Sequence, residues 1–409
     1  MSSRFNTALP PSFMRIAWSN LSAQFSEQVA LAAAPLVAVL LLGAGAAETG
    51  LLQTAQTLPF LLLSLPAGVL VDRASRRRLM VGSEALRAVS LLAILLLTAS
   101  GRLNLTLLAG LGFLGAIGTV CYSVAAAALI PTLVPREQLG AANRWLELAR
   151  SIAYSAGPAV GGAIVGWTGA PAAYLLATAL SLVAVKFLSG LPEEEKSTRP
   201  KRHPLHELKE GAIFVALNPL LRPILITAVF FNISWFVLQA VYVAYAIHNL
   251  GLTAAGIGVT LGIYGGGMVF GALAASHLTK RLPFGAIIAI GPLCGLCAAL
   301  AMLATVWIPS AALAAFSFFL FGAGPILWTI ATTTLRQVVT PTAMLGRVSA
   351  LIMTATLGAR PIGAAIGALV AARIGVEACL AVSALGFLVQ FVVLYTSQVP
   401  RLRVLPEAA

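Results

Sequence analysis

Charge is the scarcest ingredient of this sequence: only 10% of its 409 residues are Asp, Glu, Lys or Arg, against 59% hydrophobic ones. The mean hydropathy is +0.94. A soluble globule of this size cannot cover its surface with so few polar groups, so a water-soluble enzyme or binding module is excluded. Histidine is also rare, and His203, His206, His248 and His277 all fall in loops or at the ends of apolar runs. No clustered nucleophile and base is spelled, which argues against a membrane-embedded enzyme. The four cysteines, Cys121, Cys294, Cys297 and Cys379, sit inside apolar runs, where a thiol packs as a small hydrophobe. The CxxC of Cys294 and Cys297 has no second ligand pair or nearby histidine, so no metal site is expected. A phosphate-cradling G-x-x-x-x-G-K-[ST] stretch is missing, so ATP is not the energy source and no cofactor is expected; an ion gradient is. No ten-residue runs alternate apolar and polar residues, which excludes a membrane barrel, and no stretch reads as a selectivity filter. The opening MSSRFNTALPPSFMR lacks an apolar core with a small-residue cleavage site, so no cleaved signal peptide is expected.

What the chain does have is apolar runs of about 20 residues, the length a helix needs to cross roughly 30 Å of hydrocarbon. Twelve such runs begin near residues 15, 48, 79, 104, 143, 171, 222, 253, 284, 308, 345 and 376. The expected fold is therefore an all-α membrane protein, with twelve transmembrane helices in two pseudo-symmetric six-helix bundles. The bundles are expected over residues 1–190 and 220–409, joined by a cytoplasmic linker at 191–219, the one long polar stretch. Within the linker, HELKEGAIF reads as a short helix along the membrane surface. The net charge of +13 does not point to nucleic acid, because the basic residues are spread through short loops. Arg4, Arg15, Arg73 to Arg78, Arg136, Lys280, Arg281, Arg336, Arg347, Arg401 and Arg403 fall in alternate loops or terminal segments, with Arg102 and Arg373 the main exceptions. The positive-inside rule then places both termini in the cytoplasm.

The two halves echo each other. LVPREQLGAAN leading to GPAVGG matches VTPTAMLGRVS leading to GAAIGA at a constant offset of 206, pairing Pro135 with Pro341, Gly140 with Gly346, Gly157 with Gly363 and Gly161 with Gly367. Two related bundles facing each other suit alternating access, with a substrate held between them near the midplane.

Two motifs carry a resemblance. GVLVDRASRRRLM holds Gly68, Leu70, Asp72, Arg73, Arg76 and Arg77 in the pattern G-x-L-x-D-R-x-G-R-R, with Ser75 replacing the second glycine. AYSAGPAVGG matches G-x-x-x-G-P-x-x-G-G at Gly157, Pro158, Gly161 and Gly162, with Ala153 replacing the leading glycine. Through both, the chain resembles the major facilitator superfamily over essentially its whole length. With PREQLGAAN, it looks most like the branch that holds the enterobactin exporter and several drug efflux proteins. The resemblance implies that Gly68, Asp72, Arg73, Arg76 and Arg77 form a latch holding the outward-facing state. It also implies that Gly157, Pro158, Gly161 and Gly162 mark an exporter, where glycines four apart allow close helix approach and a proline weakens the helix where it bends. The arginine that many proton-coupled drug antiporters carry in span 4 is absent from LNLTLLAGLGFLGAIGTVCYS.

Charges deep in a span are functional candidates. Glu27 lies about 18 Å past Arg15 and shares a helical face with Asn20, Gln24 and Gln28. Burial favours the neutral form of a carboxylate, which suits a proton carrier; Glu27 is the candidate coupling site, with a structural hydrogen-bonding role as the alternative. Arg360 lies about 22 Å into span 11 and must be met by Glu27, an acidic substrate group or carbonyls loosened by Pro361. Glu84 with Arg87 and Glu147 with Arg150 are spaced three apart and read as structural pairs near the cytoplasmic face. The candidate substrate-binding residues are Gln24, Gln28, Gln53, Gln56, Tyr122, Asn232, Trp235, Gln239, Tyr242, Trp328 and Arg360, with Tyr264 beside them. Such a wall favours aromatic or amphipathic solutes. The expected function is proton-coupled export of small amphipathic or aromatic molecules such as drugs, from a monomer in a bacterial inner membrane. The alternative is a siderophore or metabolite exporter of narrow specificity with an anionic substrate; a non-transport membrane scaffold stands behind both.

Overall fold

The computed structural model describes residues 9–135, 138–192, 204–341 and 344–406. They form helices α1 (Pro11–Leu40), α2 (Ala46–Arg73), α3 (Arg76–Ala99), α4 (Leu105–Leu133), α5 (Leu139–Thr168) and α6 (Ala170–Ser189) in the first half. The short α7 (Pro204–Leu217) follows, then α8 (Leu221–His248), α9 (Ala254–Leu278), α10 (Phe284–Ala304), α11 (Ala311–Val339), α12 (Leu345–Arg373) and α13 (Val376–Tyr395). Ten of these are long and apolar enough to cross a membrane. The two other long helices, α2 and α5, have 28 and 30 residues, and carry the amides and charges that matter below.

Local chemistry sets the helix ends. Ser75, Asn104, Thr253 and Ser310 each accept a hydrogen bond from a backbone N–H three residues on, capping α3, α4, α9 and α11. Gly43, Gly101, Gly169, Gly251 and Gly375 take positive φ in the turns that leave α1, α3, α5, α8 and α12, where any side chain would be strained. All five turns lie at one end of the bundle, here the far end. The opposite, basic end holds Arg15, Arg76 to Arg78, Lys280, Arg281 and Arg347.

Helices α1 to α6 pack on one another, as do α8 to α13, and the two sets meet through α2 against α12, α5 against α9, and α2 against α8. The contacts obey the internal repeat. Gly162 on α5 meets Gly258 on α9, and the matching Ala368 on α12 meets Gly50 on α2. The HELKEGAIF segment is helical, in α7, and packs on α12, where Glu210 pairs with Arg347 at 2.6 Å.

The sets are joined by apolar packing at the far end. One buried cluster unites Leu36 and Val39 of α1 with Val241 and Tyr245 of α8, Ile257 of α9 and Ala364 of α12. At the basic end, the described clusters stay within one set: Ile16, Met80 and Leu188 in the first, Ile224, Leu335 and Leu394 in the second. Closure at the far end depends on backbones in near contact. A Cβ on Gly162 would lie 2.6 Å from both the Ala254 carbonyl and the Gly258 Cα, and backbone cannot swing aside as a side chain can.

Gly162→Leu is therefore expected to wedge α5 from α9. Overpacking of this kind costs about 1–3 kcal/mol, enough to shift the two-state balance by about fivefold or more. In a chain freed of its own cysteines, a cysteine at Gln53 should react correspondingly more slowly with an impermeant maleimide supplied at the basic end. An unchanged rate would show that this contact does not hold the closure.

Candidate functional site

Between the two sets lies a cavity of about 590 Å³, large enough for a drug-sized molecule. Helix α1 contributes Glu27 and Gln28, α2 contributes Gln53, Gln56 and Phe60, and α3 contributes Arg87. Arg150 and Tyr154 come from α5, Asn232, Trp235 and Gln239 from α8, Tyr264 from α9, Trp328 from α11 and Arg360 from α12. Trp235 stacks on Tyr264 at 5.1 Å and meets Phe321 edge-on at 4.9 Å. These contacts fix a rigid aromatic wall.

Of the residues read from the sequence as substrate-binding, Gln28, Gln53, Gln56, Asn232, Trp235, Gln239, Trp328 and Arg360 line this cavity, as does Glu27. Three do not. Tyr242 keeps the face of Trp235 and Gln239 but lies a turn nearer the far end, in the closed seam, where its hydroxyl meets Thr260 Oγ1 at 2.5 Å. Tyr122 turns into its own bundle and packs with Ile16, Ala23 and Met80. Gln24 lies a turn nearer the basic end than the lining of α1, which begins at Glu27.

Arg87 was hidden by its spacing. The pairing with Glu84 does form, but not near the membrane face: eleven residues into α3, at about 1.5 Å each, the guanidinium reaches mid-depth. Glu84 is 1% exposed and Arg87 5%. Arg87 Nη2 donates to both Glu84 oxygens at 2.6 Å and to the Ala23 carbonyl at 3.0 Å, while Nη1 donates to Thr119 Oγ1 at 3.3 Å. The Ser181 hydroxyl donates to Glu84 Oε1 at 2.6 Å. Glu84 is thus fully engaged. Glu27 is less committed, since its ion pair is with Arg87 Nη1 at 3.7 Å and its side chain is 21% exposed to the cavity.

The other pair, Glu147 with Arg150, closes at 2.9 Å and is open to solvent space on both sides; Arg150 also lies 5.9 Å from the Tyr154 ring centre. Arg360 behaves differently. Its guanidinium lies over the rings of Phe60 and Phe236 at 5.4 and 5.5 Å. Its Nε is buried without a hydrogen-bond partner, so the carbonyls near Pro361 do not satisfy it.

The glycine motif of α5 works on two faces. Gly157 and Gly161 let α1 approach at Gln28 and Val29, whereas Gly162 and the Pro158 carbonyl face Gly258 of α9. Near the end of α2, the surroundings of Gly68 and the side chains of Asp72 and Arg73 lie outside the described residues. Arg77 donates to the Ser189 carbonyl at the end of α6, and the Ser75 hydroxyl caps α3.

Two repeat-related helical bundles around a polar and aromatic midplane cavity define a solute transporter of the major facilitator type. Residues 12–408 match the model of the transmembrane secretion effector family of that superfamily, and the chain belongs to this family. It is a multi-pass membrane protein and a secondary transporter, not an enzyme. It is 29% identical over 305 residues to the enterobactin exporter EntS of Escherichia coli O1:K1 / APEC, covering 73% of this chain and 71% of that one. An uncharacterized MFS-type transporter, y4rN of Sinorhizobium fredii, is 30% identical over 254 residues, 59% of this chain and 60% of its own. Among solved structures, a bacterial homologue of the iron transporter ferroportin in an inward-facing state superposes with a TM-score of 0.74 at 16% identity, over 95% of this chain and 99% of that one. A POT family transporter in complex with 5-aminolevulinic acid gives 0.78 at 11% identity, over 96% of each. At such identities the structures speak for the fold.

Proposed function

We propose that the protein is a proton-driven exporter of small aromatic or amphipathic molecules in a bacterial inner membrane, with both termini and the basic end in the cytoplasm. The observation that carries this is the loosely paired Glu27 on the wall of a cavity closed at the far end. A carboxylate that is partly exposed at mid-depth can release its proton toward the cytoplasm and take another after the bundles rock. The amides of Gln28, Gln53, Gln56, Asn232 and Gln239 supply hydrogen bonds to cargo, and Trp235, Tyr264 and Trp328 supply flat apolar surface. The helix-end contacts of α2 with α12 and α5 with α9 are the seams that open and close. The junction of α2 and α3, with Gly68, Asp72, Arg73, Arg76 and Arg77, is the latch of the opposite, outward-facing state.

Everted membrane vesicles test the reading. On energisation they should accumulate a fluorescent aromatic amine above vesicles lacking the protein, and a protonophore should collapse the accumulation. Accumulation that survives the protonophore, or none above the control, would overturn proton-driven export.

A further inference from the structure

Three guanidinium groups line the cavity, and they are not equivalently paired. Arg87 is held by Glu84 and Glu27, and Arg150 by Glu147. Arg360 has no carboxylate at ion-pair distance among the described residues, and its buried Nε has no partner. It is flanked instead by Phe60 and Phe236, one from each half. A guanidinium held between rings at mid-membrane, with its donors unspent, is a receptor for a planar acid group on an aromatic frame.

A bare aromatic acid fits Arg360 but not antiport. With Glu27 ionised, the three carboxylates balance the three arginines, so an added anion would leave a net charge in a low-dielectric site, which is costly. An anion would also bind best when Glu27 is protonated, so proton and cargo would travel together rather than in exchange. Exchange requires cargo that prefers the ionised Glu27. The charged and titratable groups around Glu27 are Arg87 and Glu84 of α3, Tyr154 of α5 and Arg360 of α12. Arg87 is already spent on Glu84, so a cationic nitrogen can compete for the more distant Glu27.

Resting on the export reading above, we infer that the cargo is an aromatic zwitterion, its acid group bound by Arg360 of the second half and its cationic nitrogen by Glu27 of the first. Such a molecule adds no net charge and bridges the two bundles. Protonation of Glu27 removes the partner of its nitrogen, which gives exchange the correct sign.

Three probes with one ring separate the groups: 4-(aminomethyl)benzoate, 4-methylbenzoate and 4-methylbenzylamine, each titrated calorimetrically into the purified full-length protein. The zwitterion is expected to bind about tenfold or more tightly than either single-charge probe, the effect of one charge-assisted contact. Arg360→Gln should reduce it to the affinity of the amine, and Glu27→Gln to that of the acid. Each variant binds the probe that does not use the missing group at least as tightly as the wild type, which shows that it is folded. Acidification should weaken the zwitterion and the amine but not the acid. An acid or amine bound as tightly as the zwitterion, or no binding of the zwitterion, overturns the inference. Proton-driven flux of an amine with no zwitterion preference would overturn it while leaving export intact.

Discussion

Glu27→Gln is expected to reduce proton-driven accumulation in everted vesicles to background, while exchange of labelled for unlabelled substrate without a gradient continues. The amide keeps the size and hydrogen-bonding capacity of the side chain but cannot carry a proton. Glu27 is suited to the role by position rather than by type, because the buried carboxylate Glu84 is consumed by Arg87 and Ser181. Glu27 makes only the longer 3.7 Å contact and faces the cavity. The variant should also lose the pH dependence of substrate affinity expected of the wild type. Undiminished gradient-driven uptake would remove Glu27 as the coupling residue, and loss of exchange as well would make it a substrate ligand only.

Arg87→Ala is expected to produce the largest loss of stability. It removes the partner of a carboxylate that is 1% exposed, leaving Glu84 with the Ser181 hydroxyl alone. Stranding one member of a buried pair costs about 3–5 kcal/mol, which thermal unfolding in detergent should register as a large drop in midpoint. Replacing both, Glu84→Met with Arg87→Met, should recover most of that loss, since a well-packed apolar pair of similar volume is about as stable as the ion pair. A double variant as unstable as the single one would mean that Arg87 acts through Ala23 and Thr119 rather than through Glu84. In either variant Glu27 loses its cation, so a fall in transport larger than the fall in folded protein reports the coupling role separately.

Much of this site was readable by counting along helices. A rise of about 1.5 Å per residue put Glu27 and Arg360 at mid-depth, and both line the cavity. The same count applied to Arg87 would have placed it there too. Its spacing of three from Glu84 concealed it, because an i,i+3 pair on a surface helix looks identical in sequence. Tyr242 follows the helical spacing of Trp235 and Gln239, but its ring packs into the buried seam while its neighbour Val243 lines the cavity. Tyr122 sits on a helix that lines the cavity with other residues, and turns toward its own bundle instead.

The sequence by itself determined the helices, their order, the internal repeat at an offset of 206 and the family, because length, hydropathy and capping act within a span and a motif is local. Only the tertiary structure decided which faces meet and where the cavity stops. It decided that Arg87 bridges Glu84 and Glu27, and that Arg360 rests on aromatic rings from both halves with no acid at ion-pair distance among the described residues. The physical reason is that a periodic pattern fixes direction and height on one cylinder. What lies opposite depends on how closely the backbones of two packed sets of helices approach, and at Gly162 and Gly258 that approach is set by a missing Cβ.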